Sequence, residues 1–251
     1  MYEIYGLTDV GCVREHNEDG FLIQKARKNQ GELHLENVEG TWIAAVADGM
    51  GGQAAGEVAS ELALKHLEKL ELPISSEELM SYLNQINDEI LAYGSKNKEA
   101  KGLGTTLTGM ICNDHQLTLF HIGDSRLYRF RDGFLKQISQ DHSLVEALFQ
   151  QGEISREEKS RHPKRHILLR SLGTTTNGVK ADVESVRGRF ESGDLFLLCS
   201  DGLNDSLTDE EIERVLGQDQ SLENTAHALI QSAKQAGGED NITVVMVRRH
   251  P

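Results

Sequence analysis

The order in which the apolar patterns change period most constrains what this chain can fold into. Strand-like runs come in groups: 3–10, 21–24 and 41–47, then 105–112, 116–122 and 126–130, and finally 195–199 and 242–247. Helical patterns come in adjacent pairs between them. From 54 to 70, Val58, Leu62, Ala63, Leu67 and Leu70 share one face. From 76 to 93, Leu79, Leu83, Ile86, Ile90 and Tyr93 recur at steps of four, three, four and three. Thr208-Asp209-Glu210-Glu211 has the form of a capping box and starts a third helix, and 222–236 supplies a fourth. Strict strand–helix–strand alternation is absent, which argues against a doubly wound parallel sheet. The expected fold class is α+β: a four-layer αββα sandwich of two antiparallel sheets flanked by helix pairs.

The local signals agree with that layering. Asn113-Asp114-His115 reads as a polar turn closing a hairpin, and Arg131-Asp132-Gly133 as a second turn. The 41–47 run, TWIAAVA, is nearly all apolar, as a strand covered on both faces would be, and Trp42 is expected in the core. Segment 141–170 breaks the series. It is charged, carries Arg161, Lys164, Arg165 and Arg170, and reads as an insertion lying over the surface with one short helix near 143–151. Only three prolines occur, no Pro- or Ser-rich linker divides the chain, and no repeat is found. One domain over 1–251 is the expectation.

Charge narrows the function classes. The 251 residues hold 26 Lys+Arg against 40 Asp+Glu, a formal balance of −14. That excess argues against a nucleic-acid binder, which needs cations to replace counterions along phosphates, and against docking on an anionic membrane. It is compatible with holding hard divalent cations. No run approaches the roughly 18 apolar residues of a membrane span, and Met1-Tyr2-Glu3-Ile4 lacks the layout of a signal peptide. Cys12, Cys112 and Cys199 are widely spaced and read as reduced core thiols, so a cytoplasmic location is expected.

The informative acids stand at the ends of apolar runs. Asp48 follows TWIAAVA and precedes Gly49; Asp201 follows LFLLCS and precedes Gly202. Asp240 comes just before ITVVMV, Asp124 follows QLTLFHIG, and Glu18 and Asp19 precede Phe21-Leu22-Ile23. Any one Asp-Gly pair is an ordinary turn signal. Clustered together, these carboxylates would repel one another without a counter-charge, so a cluster implies bound cations. An all-oxygen ligand set points to Mg²⁺ or Mn²⁺, since no His/Cys set has zinc spacing.

In order along the chain stand Arg14-Glu15-His16-Asn17-Glu18-Asp19, Val46-Ala47-Asp48-Gly49-Met50-Gly51-Gly52 and Gly102-Leu103-Gly104-Thr105-Thr106. Then come His121-Ile122-Gly123-Asp124-Ser125-Arg126, Asp141-His142-Ser143-Leu144, Ser200-Asp201-Gly202-Leu203 and Glu239-Asp240-Asn241-Ile242-Thr243. The set resembles the metal-dependent protein phosphatase family, of protein phosphatase 2C type, in its compact bacterial form, from Gly6 to Val247. The resemblance implies an antiparallel sandwich flanked by helix pairs. It implies hydrolysis of phosphoserine and phosphothreonine by direct attack of a hydroxide bridging two Mn²⁺ or Mg²⁺ ions. Asp48 would bridge the ions, the Gly49 carbonyl would bind one, and Asp201 and Asp240 would hold the other. Glu18 and Asp19 would act nearby, largely through metal-bound waters. Arg14 would hold the substrate phosphate, and Asp124 with Asp201 resembles a third-metal site. Segment 141–170 would be the flap beside the active site. Implied partners are phosphorylated proteins and Ser/Thr kinases, with no nucleic acid, no membrane and a monomeric state.

One departure concerns proton transfer. Relatives with His at the position of Met50 have a candidate acid for the leaving alkoxide there, and Met cannot donate a proton. Either a metal-bound water serves instead, as bacterial relatives with Met suggest, or another residue does; His16 and His142 lie in or beside motifs and could approach the site, so the general acid is left open. Gly104-Thr105-Thr106 reads first as a strand-entry turn, and Arg126 as a tie for the Asp124 loop. Two other functions stay open at this stage: a catalytically silent scaffold on the same fold, and a hydrolase of small phosphoesters.

Overall fold

A computed structural model of the chain describes residues 1–51, 55–100, 102–188, 190–218 and 220–250. Gly52, Ala54 and Pro251, which enter the reading above, lie outside the described residues. The first group of strands is β1 (Tyr2–Asp9), β2 (Asp19–Ile23), β3 (Ala26–Lys28), β4 (Gly31–Val38) and β5 (Trp42–Met50). Helices α1 (Ala55–Leu67) and α2 (Ser76–Lys96) follow, then β6 (Gly104–Thr105), β7 (Leu107–Asn113), β8 (Gln116–Ile122), β9 (Arg126–Arg131) and β10 (Phe134–Gln137). The inserted segment carries α3 (Leu144–Gln150) and α4 (Arg156–Arg161). The chain closes with β11 (Asp182–Ser185), β12 (Leu195–Cys199), α5 (Asp201–Asn204), α6 (Asp209–Leu216), α7 (Leu222–Gln235) and β13 (Ile242–Arg249).

The strands form two sheets with every pairing antiparallel. One runs β10-β9-β12-β13-β1-β4; the other runs β11-β8-β7-β5-β2-β3, with β6 on the end of β5. Period-two geometry sorts side chains into three apolar layers. On β5, Trp42, Ala44 and Val46 face the opposite sheet, while Ile43, Ala45 and Ala47 face α1 and α2. On β12, Phe196 and Leu198 face between the sheets, while Leu195, Leu197 and Cys199 meet α6 and α7. Both faces of these central strands are therefore covered, which is why they read as continuous apolar runs. The expected αββα layering is what the structure has.

Capping fixes the helix starts. Ser75 with Glu78 and Thr208 with Glu211 form reciprocal capping boxes at α2 and α6, the second as the sequence indicates. A third box, Ser155 with Glu158, opens α4, which buries none of its residues and so shows no apolar period. The weakest sequence signals belong to edges. β4 and β11 end their sheets, and β4 is largely exposed, so neither has an apolar stripe to announce it. One thiol reading is corrected: Cys112 and Cys199 are buried, but Cys12 is exposed. It sits on a loop whose backbone bonds to Gly238, and the small residues beside it reflect that loop crossing rather than a core. Among the described residues no helix is long and apolar enough to cross a membrane.

Candidate active site

The strand-end carboxylates converge at one end of the sandwich because the strand pairings bring them there. Asp19 on β2 stands directly opposite Asp48 on β5. The β12–β13 pairing carries Asp201 and Asp240 to the same end, and the Ser200 N–H donates to Thr243 O at 3.1 Å. β5 runs on through Asp48 and Gly49 to Met50, where β6 pairs with it, so Asp48 lies within a strand rather than after one. Gly49 is required there: a Cβ would stand 2.0 Å from Gly56 O at the start of α1.

Each carboxylate is held by named neighbours. The Asp48 backbone N–H donates to Thr106 Oγ1 at 3.0 Å, and its carbonyl accepts from Thr105 Oγ1 and the Thr106 N–H, both at 2.9 Å. The Thr105-Thr106 pair thus forms the expected strand entry and also anchors Asp48. Asp19 is fully buried and accepts from the Ser200 hydroxyl at 2.6 Å. Arg14, half exposed, donates to Asp240 at 2.6 Å. Its loop is tied down by Asn241, whose Oδ1 accepts from Glu18 N–H at 2.8 Å and whose Nδ2 donates to Val10 O and His16 O at 2.9 and 3.0 Å. Arg126 makes a two-pronged pair with Asp141, at 2.7 Å from Nη2, and donates to Tyr128 Oη at 2.8 Å. It therefore ties the flap's first residue to β9.

Burial and mutual repulsion set the electrostatics of the cluster. Burial is the largest influence on Asp48 and pushes its carboxyl far above the ordinary range; Asp201, Asp19, Asp124 and Asp240 add to that. Burial likewise raises Asp201, followed by Asp124, Asp205, Asp240 and Asp19. Burial raises Asp19 to about 7, with Asp240 and Glu18 adding to it against the Ser200 and Thr243 hydroxyls. Asp124 rises to about 7, first from burial and then from Asp141 and Asp205, against Arg126. Glu18 is raised by burial against Arg14 and a hydrogen bond from the Gly56 backbone. Carboxylates that raise one another this way favour either bound protons or a neighbouring cation. An all-oxygen donor set suits hard divalent ions such as Mg²⁺ or Mn²⁺, so these residues fit such ions.

Two residues were missed from the sequence. Asp205 lies one turn after Asp201, and His166 reaches in from the flap; ligand atoms of His166, Asp201 and Asp205 lie within 4.8 Å of one another. Asp205 follows Asn204 with no glycine or strand end to mark it, and His166 belongs to a run that reads only as basic. A groove of about 700 Å³ leads outward from Asp124 and Asp201 between the flap and residues 201–210. Of the basic run, Arg165 pairs with Asp205 at 3.8 Å and Arg170 with Asp182 at 3.6 Å. Of the two histidines considered as an acid, His142 has both ring nitrogens engaged elsewhere. His16 is exposed, with its backbone carbonyl held by Asn241.

The protein phosphatase 2C family profile matches residues 22–237. The serine/threonine phosphatase Stp of Listeria monocytogenes is 38% identical over 250 residues, covering 96% of this chain and 94% of that protein. The serine/threonine phosphatase of S. agalactiae superposes with a TM-score of 0.86 at 32% identity, covering 99% of both chains. The catalytic domain of the serine/threonine protein phosphatase PstP, solved with two manganese ions, superposes with a TM-score of 0.80 at 33% identity, covering 100% of both. The chain belongs to the protein phosphatase 2C family, and it is a hydrolase of that type.

Proposed function

We propose that the chain is a serine/threonine protein phosphatase that uses two Mn²⁺ or Mg²⁺ ions, working as one phosphatase domain that includes the 141–170 flap. The observation that carries this reading is the group of buried and half-buried carboxylates at one end of the sandwich, with Arg14 at its rim. Asp48 and the Gly49 carbonyl, with Asp201 and Asp240, would hold the ions, and Asp124 with Asp201 a possible third. When bound, the ions supply a water of lowered pKa and so the hydroxide for direct attack on phosphorus. Glu18 and Asp19 would orient waters from the β2 side. Arg14 spends one contact on Asp240, and a guanidinium carries five N–H donors, enough to grip two phosphoryl oxygens as well. The two-manganese PstP catalytic domain supports the choice of metal.

Phosphorylated proteins and the Ser/Thr kinases that modify them are the proposed partners, and a monomer in the cytoplasm is the proposed setting, which the acidic balance and three free thiols support. The test is phosphate release from a phosphothreonine peptide and from a small aryl phosphate, with Mn²⁺ and then with chelator. Turnover of the peptide that chelator abolishes and Asp201→Ala reduces by roughly a hundred- to a thousandfold is expected. No turnover of either substrate at saturating Mn²⁺ would leave a scaffold, and turnover of the small ester alone would leave a small-phosphoester hydrolase.

A further inference from the structure

His142 opens the flap and is 8% exposed, yet it makes no contact that the proposed chemistry uses. Its bonds all go to framework. The His142 backbone N–H donates to Gly123 O at 2.7 Å, and the Gly123 N–H donates to His142 Nδ1 at 3.2 Å. One residue thus grips both polar groups of Gly123, the residue before Asp124. An Nδ1 that accepts leaves the proton on Nε2, which faces Asp182 Oδ2 on β11 at 3.2 Å. Arg170 Nη1 lies 3.6 Å from the other Asp182 oxygen and 3.3 Å from His142 Nε2, so Nε2 sits between the Arg170 and Asp182 side chains. The ring is stacked at 4.6 Å on His121, whose Nε2 is taken up by Gln140 O. On the flap side, the Leu169 N–H donates to His142 O at 2.8 Å, and Ser143 bridges to Leu168.

Gly123 cannot hold this turn by itself. Its φ is +116°, and a Cβ would meet Thr106 at 2.5 Å, so the position needs glycine and the backbone freedom that comes with it. A flexible residue directly before a carboxylate that must aim at one point needs an external clamp. His142 is placed to be that clamp and joins it to the flap.

We propose that His142 is a positioning residue that fixes the Gly123–Asp124 turn and couples it to the flap backbone. The proposal rests on Asp124 being a metal-holding carboxylate. Asparagine puts its amide oxygen where Nδ1 stands and can accept from Gly123; glutamine puts its amide at the Nε2 position and cannot. The test compares His142→Asn, His142→Gln and Asp124→Ala with the wild-type chain by Mn²⁺ titration calorimetry, melting temperature, and turnover of an aryl phosphate and a phosphothreonine peptide. His142→Gln is expected to weaken the loosest Mn²⁺ site and turnover roughly 10- to 100-fold, and His142→Asn to recover most of both. Equal losses in the two variants with a matching drop in melting temperature would reduce His142 to a stabilising residue and overturn the proposal. So would a His142→Gln protein indistinguishable from His142→Asn. If the wild-type chain shows no Mn²⁺-dependent turnover, or Asp124→Ala binds as many ions as wild type, the assignment of Asp124 fails first and the proposal with it.

Discussion

Trp42 and Asp48 stand on the same face of the same strand, at opposite ends of the sandwich. Around Trp42 the inter-sheet space closes with aromatic rings: Tyr2 lies edge-on to it at 5.2 Å, Phe190 follows at 5.1 Å from Tyr2, and Phe196 at 4.9 Å from Phe190. Cys112 packs beneath, with its thiol 3.4 Å from the Tyr2 hydroxyl. The one flaw among the described residues is Trp42 Nε1, buried without an acceptor. Around Asp48 the same space fills with acids that raise one another's pKa. One end lowers the free energy of the fold by burying apolar surface. The other raises it, and the proposed cations would offset that, so binding and stability would be coupled there and separate at the far end.

Asp201→Ala should give the largest effect. Turnover should fall by roughly a hundred- to a thousandfold, while the metal-free protein should melt no lower than wild type, because a repelling charge is gone. A metal-free melting point that drops as far as in a core variant would break the contrast between the ends. Trp42→Ala should do the reverse, losing about 3–5 kcal/mol of unfolding free energy by denaturant titration, with turnover per folded molecule unchanged at saturating Mn²⁺. Raising Mn²⁺ to about a hundred times its Kd should add about 2.7 kcal/mol in wild type and in Trp42→Ala, and much less in Asp201→Ala.

The pH dependence sharpens the same point. Asp19 and Asp124 have folded pKa values of about 7, above their unfolded values. The folded state therefore binds more protons between about pH 4 and 7. In chelator, these groups should make stability fall as pH rises through that window, and Asp124→Asn should flatten the fall. An equal slope in the variant would show that Asp124 does not feel its neighbours. Smallest of all should be Trp42→Phe, within about 1–2 kcal/mol, since a lost ring is set against a relieved, unpartnered N–H.

How far the chain could be read in advance follows from how local each feature is. The strands Trp42–Met50, Leu195–Cys199 and Ile242–Arg249 are legible because both of their faces are buried over most of their length and most of those residues are apolar. β4, β11 and α4 are not, because edges and exposed helices need no apolar stripe. Asp48, Asp201 and Asp240 stand out because they flank apolar runs, the first two directly before a glycine. Asp205 and His166 do not, because only the packing of the flap against residues 201–210 makes them neighbours of Asp201.

By itself, the sequence determined the layers, since side-chain period is a property of each segment and decides which face it buries. It also determined the pool of acids from which a cation site could be drawn. Tertiary structure decided which of those acids meet, because that depends on β2 pairing with β5 and β12 with β13, contacts between residues far apart in the chain. It decided too that His142 bonds to Gly123, and that Cys12 lies on a surface loop. Hydrogen bonds of this kind run between segments that carry no common pattern, and only the folded backbone brings them within reach.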